Sequence, residues 1–112
     1  MRRDSLKYPE TDAHWDIPGG RIDAHEELGD ALAREVAEEV GMELVGTPRL
    51  LAAQDIMVPS NDLHVVRLTY SGNAIGSPHL SDEHSEYAWM KTVDILATDV
   101  DPYVRKVLEE QV

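Results

Sequence analysis

The chain contains no cysteine, which excludes disulfides, thiolate nucleophiles and sulfur-ligated zinc and fits a reducing cytoplasm. No apolar run approaches the ~20 residues needed to cross a bilayer, so no membrane span is expected. The opening stretch, MRRDSLKYPETD, has basic residues but no apolar segment behind them and does not read as a secretory signal. Cations are scarce: 10 Lys and Arg stand against 22 Asp and Glu, a formal net charge of -12. A field of that sign repels bare polyanions, so binding of polymeric nucleic acid through basic patches is not expected. A small phosphate-bearing substrate is compatible with it, provided a cation sits between substrate and protein. The five histidines include no i,i+4 pair on a predicted helix, which argues against a histidine-based metal site.

What is present fits one domain spanning residues 1–112, with 42% hydrophobic residues and a modest core. There is no internal repeat and no low-complexity linker. Trp15-Asp16-Ile17 reads as a short extended segment stopped by Pro18-Gly19-Gly20. From about Glu27 to Val40 the pattern is helical, because Leu28, Leu32, Val36 and Val40 recur every four residues and Gly41 stands where a left-handed cap belongs. Residues 50–58 and 64–70 read as strands joined by a turn at Pro59-Ser60-Asn61-Asp62, followed by a loop over 73–81 and a short strand over 86–91. Asp101-Pro102 is a helix start, N-cap then proline at the first helical position, for a final helix to about Glu110. Strands on either side of a helix, with a second helix at the end, make an α/β or α+β layered domain.

The chemistry concentrates in residues 20–42, which hold seven of the 22 acids. Glu35, Glu38 and Glu39 are spaced i, i+3, i+4 and share a helix face beside the Leu32, Val36, Val40 stripe. Glu35 and Glu39 form a like-charge i,i+4 pair that costs a few tenths of a kcal/mol on an isolated helix, and Arg34 is the nearby cation within the turn. A hard divalent cation would convert this repulsion into attraction, since Mg²⁺ and Mn²⁺ prefer oxygen ligands. Spacing alone is equally satisfied by a solvated, Glu-rich helix face.

Read as fixed positions, the segment is Gly20-x5-Glu26-x7-Arg34-Glu35-Val36-x-Glu38-Glu39-x-Gly41-Met42. Every position resembles the signature box of the Nudix hydrolases, and a chance match in a chain of this composition is on the order of one in a million. The preceding WDIPGG is similar to the lead-in common in that family, and SDEHSEYAWMKTVDI to the strand and turn that follow its central sheet. The resemblance implies an α/β fold, the Nudix α/β/α sandwich with a mixed sheet, here shortened at the N-terminus. It also implies Mg²⁺- or Mn²⁺-dependent cleavage of a nucleoside diphosphate linked to another group.

Residue by residue, the resemblance implies that Glu35, Glu38 and Glu39 are metal ligands, with the Gly19 carbonyl as an addition. Arg34 orients Glu35, and Glu26 braces the loop before the helix. Gly19 and Gly20 let the backbone turn sharply and approach the metal, where a Cβ would obstruct. Glu35 is one candidate general base and Glu83 the other, against the alternative of a solvated loop acid. Trp15 and Tyr87 are candidates to stack a base or to pack on the sheet. Arg21 is a candidate to touch a phosphate or to pair with an acid. His84 reads as a surface loop histidine rather than a substrate contact.

The sequence departs from the family pattern before the box, where only 19 residues precede Gly20 and Arg2-Arg3 resembles the end of a second strand. A late start, a minimal fold and a sheet completed by a partner chain are the competing explanations, and an unpaired edge invites a homodimer. Pro59, 17 residues beyond Met42, lies close to but not at the distance found in ADP-ribose-type members, and WDIPGG resembles enzymes that sanitise nucleoside triphosphates. The expected substrate is a nucleoside triphosphate, oxidised dNTPs included, or an NDP-linked metabolite such as ADP-ribose. The competing classes are a non-catalytic Nudix-like domain that binds a nucleotide or a protein, and a purely structural acidic domain.

Overall fold

In the computed structural model, residues 1–3, 15–81 and 84–111 are described. Glu83 lies outside them, as does most of the segment before Trp15. The elements run β1 (Arg2–Arg3), α1 (Leu28–Val40), β2 (Glu43–Val58), a 3₁₀ turn (Pro59–Asn61), β3 (Leu63–Ile75), β4 (His84–Glu86), α2 (Thr92–Leu96) and α3 (Pro102–Glu109). Strands flanked by helices give the expected α/β/α sandwich, and α1 and α3 both pack on β2. Among the described residues the two ladders are antiparallel, β1 with β4 and β2 with β3.

The expected first helix is α1. It ends where Gly41 adopts φ 66° and its N–H donates to the Ala37 carbonyl at 3.0 Å, a left-handed cap that costs a glycine no Cβ strain. Its apolar stripe is only partly covered: Val40 is buried and Leu32 and Val36 are half-buried, while Leu28 is 44% exposed. Val40 joins Met1 and Met42 in a small core, against which Val36 and Leu80 pack.

Both middle strands are longer than the sequence suggested. β2 begins at Glu43 rather than Leu50, and β3 runs on to Ile75 through what reads as loop. Gly46 and Pro48 look like breakers. The ladder absorbs them by shifting register between Val45 and Arg49, with Gly46 at φ 71°. The joining turn is as expected: Asp62 takes φ 48° and its N–H donates to the Pro59 carbonyl at 3.2 Å.

The strand expected over 86–91 is instead β4, three residues from His84 to Glu86, and Tyr87 and Trp89 lie beyond it at 49% and 73% exposure. Trp15–Ile17 contributes a single bridge at Trp15 instead of a strand. It is tied by reciprocal bonds between the Met1 and Asp16 main chains at 2.7 and 2.8 Å. α3 starts as expected. Asp101 Oδ2 accepts the N–H groups of Tyr103 and Val104 at 3.0 and 3.1 Å, and also takes Arg67 Nη1 at 3.1 Å. Arg67 stands opposite Gln54 across the β2–β3 ladder, and Gln54 Nε2 donates to the Tyr103 carbonyl at 3.0 Å. Cross-strand partners share a face, so these two side chains dock α3 together.

Candidate metal and active site

The site is organised around Arg34, nearly two turns into α1. Its guanidinium grips Glu26 with two bonds, Nε to Oε2 at 2.9 Å and Nη2 to Oε1 at 3.0 Å. Nη2 also donates to the Arg21 carbonyl at 2.9 Å, and Nε lies 3.6 Å from Asp23 Oδ2. Glu26 in turn accepts the Asp23 N–H at 3.0 Å. These contacts fold the segment between Gly20 and α1 back onto the helix, with His25 held at φ 66°. The paired fork is the geometry that separates arginine from lysine.

The same guanidinium faces two of the three helix carboxylates. Arg34 Nη1 donates to Glu35 Oε1 at 2.9 Å and to Glu38 Oε2 at 3.2 Å. The Glu35 side chain is 13% exposed and that of Glu38 59%. Glu39 is held from a different direction, its Oε2 accepting the Gly19 N–H at 2.8 Å. Hydrogen bonding from Arg34, helped by the Asp23 N–H, lowers the Glu26 carboxyl to a pKa of about 2. The Glu26 hydrogen bond is likewise the largest cause raising the Arg34 guanidinium above its ordinary value. The pair stays ionised throughout the neutral range.

The two glycines before the helix differ in what they allow. At Gly20 a Cβ would overlap the Glu35 carboxylate, whereas at Gly19 nothing lies within 4 Å of where a Cβ would stand. Neither takes a left-handed φ. Neither therefore needs glycine for its backbone conformation; the steric demand falls on Gly20, and what a Cβ there would obstruct is the Glu35 carboxylate.

The structure brings Arg34, Glu35, Glu38, Glu39 and Gly19 together. Arg21 joins them through its carbonyl, with its side chain exposed. Trp15 is half-buried, and its carbonyl accepts the Asp101 N–H at 2.8 Å, fixing it to the start of α3. Tyr87 is half-exposed just past β4. His84 opens β4, its N–H donating to the Ser81 carbonyl at 3.2 Å. Asp23 was missed from sequence, as was the Arg21 carbonyl. The one signal for Asp23 was its place three residues before Glu26.

Among the described residues no three acidic or histidine side chains are gathered as a preformed metal cage, because Glu35 and Glu38 turn onto Arg34 and Glu39 onto Gly19. The donor set still fits a hard divalent cation. It offers carboxylate oxygens on one helix face, next to a main chain whose close approach depends on the missing Cβ of Gly20.

A family model described as "NUDIX domain" matches residues 1–111. Among curated proteins, the chain is similar to the nucleoside triphosphatase NudI of Escherichia coli, 27% identical over 103 residues, covering 84% of this chain and 73% of that protein. It is also similar to the "Putative 8-oxo-dGTP diphosphatase 2" of Mycobacterium tuberculosis, 30% identical over 100 residues, covering 87% and 67%. Among solved structures, it resembles the crystal structure of a MutT NUDIX hydrolase from Burkholderia pseudomallei with a TM-score of 0.75 at 27% identity, covering 89% of this chain and 78% of the other. The solution structure of the Escherichia coli ORF135 protein matches in fold, with a TM-score of 0.76 at 23% identity and coverage of 89% and 71%.

Proposed function

This chain belongs to the Nudix hydrolase family, and from that premise we propose that it is a divalent-metal-dependent hydrolase of the pyrophosphate linkage in nucleoside diphosphates joined to another group. One observation carries the reading. The box residues converge in space, with Arg34 between Glu26, Glu35 and Glu38, and with Gly20 leaving room only for the Glu35 carboxylate.

In this proposal Glu35, Glu38 and Glu39, with the Gly19 carbonyl, hold Mg²⁺ or Mn²⁺. The metal, when bound, supplies charge neutralisation at the phosphoryl oxygens and an activated water. The chain's own residues do the rest. Arg34 offsets the mutual repulsion of the glutamates and fixes the Glu35 carboxylate at 2.9 Å. Glu26 locks Arg34 through two parallel bonds, so the guanidinium does not swing toward solvent. The Gly19 N–H aims the Glu39 carboxylate. Glu35 and Glu83 are the candidates to take the proton from the attacking water, Glu35 being the one already placed beside Arg34.

Nucleoside triphosphates, oxidised dNTPs included, are the proposed substrates, with NDP-linked metabolites such as ADP-ribose as the alternative. The names of the two curated relatives support the first group. Arg21, Trp15 and Tyr87 are proposed to meet the phosphate and the base. A homodimer is proposed as well, since Leu50, Met57, Val66 and Ile75 of the β2–β3 ribbon are each more than half exposed. The setting proposed is cytoplasmic. Among the described residues no helix is long and apolar enough to cross a membrane.

A panel of nucleotides incubated with Mg²⁺ or Mn²⁺, with release of phosphate and pyrophosphate followed, tests the reading. Turnover of a nucleoside triphosphate or an NDP-linked compound supports it. A second reading, nucleotide binding without turnover, is favoured by the engagement of all three glutamates with Arg34 or the Gly19 amide. Saturable binding with no product from any compound selects it.

A further inference from the structure

Two of the three carboxylates proposed as metal ligands, Glu38 and Glu39, lie in the last turn of α1, where a helix is weakest. The final four carbonyls have no partners inside the helix. Negative side chains there oppose the helix dipole, and α1 has no basic residue in that turn. Left to itself this turn would fray and carry Glu39 with it.

The hold comes from outside the helix. The end carbonyls are met as follows: Ala37 by the Gly41 N–H at 3.0 Å, Val40 by the His79 N–H at 2.6 Å, and Glu39 by the Ser81 N–H at 3.0 Å. Between the two outer donors, Leu80 packs against the Met1, Val40, Met42 core. The segment 79–81 thus lies along the end of α1 with its main chain bonded to the helix and its central side chain anchored. Gly41 makes this approach possible for a reason separate from its φ of +66°. A Cβ there would stand 2.8 Å from His79 Cβ and 3.1 Å from the His79 carbonyl oxygen.

We propose that His79–Ser81 is a positioning strap for the metal ligands, in which the Ser81 N–H fixes the Glu39 main chain so that its carboxylate meets the Gly19 amide. Glu39 is then held at both ends, at the carbonyl by Ser81 and at Oε2 by Gly19. The inference rests on the reading of Glu39 as a metal ligand. Ser81 and His79 act through Glu39 and Val40, not on substrate. The main-chain donor is what matters at Ser81, since its buried hydroxyl has no hydrogen-bond partner among the described residues.

The test is Mn²⁺ affinity, read by electron paramagnetic resonance of the free ion, well below the unfolding temperature of each variant. Ser81→Pro removes the donor and is expected to weaken Mn²⁺ binding about tenfold or more, the range found when outer partners of a metal ligand are lost. Ser81→Ala keeps the donor and is expected to bind as the wild type does. Gly41→Asn tolerates the left-handed backbone but adds the obstructing Cβ. It should weaken binding similarly, and His79→Gly in that background, by removing the nearest atom, should restore most of the loss. Wild-type affinity in folded Ser81→Pro, or no restoration in the double variant, overturns the strap while leaving the ligand assignment intact. A wild-type protein that binds no Mn²⁺ overturns both. Hydrogen exchange on the wild type needs no variant: the His79 and Ser81 amides should be protected in the folded protein, and exchange at the unprotected rate overturns the strap.

Discussion

Arg34 is the residue on which three glutamates converge, and Glu26 is the one that holds it. The Glu26 pKa falls from 4.5 to about 2, with the Arg34 hydrogen bond as the largest cause. A carboxyl depressed by folding contributes stability that is complete above pH 4.5 and is lost as pH falls toward 2. Melting temperatures of the wild type and Glu26→Gln, compared from pH 5 to pH 2, should therefore converge as the pH drops. Parallel curves across that window would show that the pair does not stabilise the fold. The glycines give a second contrast. Gly20→Ala places a Cβ on the Glu35 carboxylate, whereas Gly19→Ala meets open space. Kinetics should show a loss of kcat of about tenfold or more for Gly20→Ala, comparable to displacing a partner of a metal ligand, and a smaller effect for Gly19→Ala. Much at this scale was legible. Glu26, Arg34, Glu35, Glu38 and Glu39 were visible because their side chains carry the chemistry. The Arg21 carbonyl and the Gly19 N–H partnership with Glu39 were not, because a main-chain donor or acceptor is the same in every residue and leaves no mark in the sequence.

Among the elements, α1 and α3 were readable because their ends are written in side chains: Gly41 closes one helix and Asp101-Pro102 opens the other. Asp101 caps two N–H groups of α3 and also holds Arg67. Asp101→Ala should cost about 2 kcal/mol in chemical denaturation, at the upper end for a lost N-cap. Asp101→Asn, which retains an acceptor for the cap, should cost less, and equal losses would mean that the Arg67 pair outweighs the cap. The strands were less legible. The first strand reads as starting at Leu50, yet the β2–β3 ladder begins at Glu43 and passes Gly46 and Pro48 through a register shift that depends on the partner strand. Tyr87 and Trp89 read as strand residues by propensity, but the strand ends at Glu86, since pairing with β1 and not residue type sets its length. The strap at residues 79–81 belongs to the same class: only tertiary contact makes a loop into a support for a helix end.

For the molecule as a whole, the charge of -12 has a local and a diffuse part. Locally, acids cluster around Arg34 and on one face of α1. Of the other described acids most are exposed, Asp101 being the buried exception, and exposed charge of one sign favours solubility and opposes self-association. Against that repulsion stand the exposed apolar side chains of the β2–β3 ribbon, Met57 and Val66 at 59% each. If these decide the balance, sedimentation equilibrium at micromolar concentration will show a dimer, favoured further by added salt as the repulsion is screened. A stable folded monomer under all salt conditions would contradict the proposed interface.

The central claim is that the carboxylate face of α1 holds a catalytic divalent cation, and one measurement tests it most directly. Steady-state hydrolysis of the best substrate is followed in saturating Mg²⁺ for the wild type and Glu39→Gln, with the fold of each checked by its melting temperature. The account predicts that kcat falls by about a hundredfold or more in Glu39→Gln, on the order of 3 kcal/mol in the barrier, while the protein stays folded. A folded Glu39→Gln protein with near wild-type kcat would contradict it.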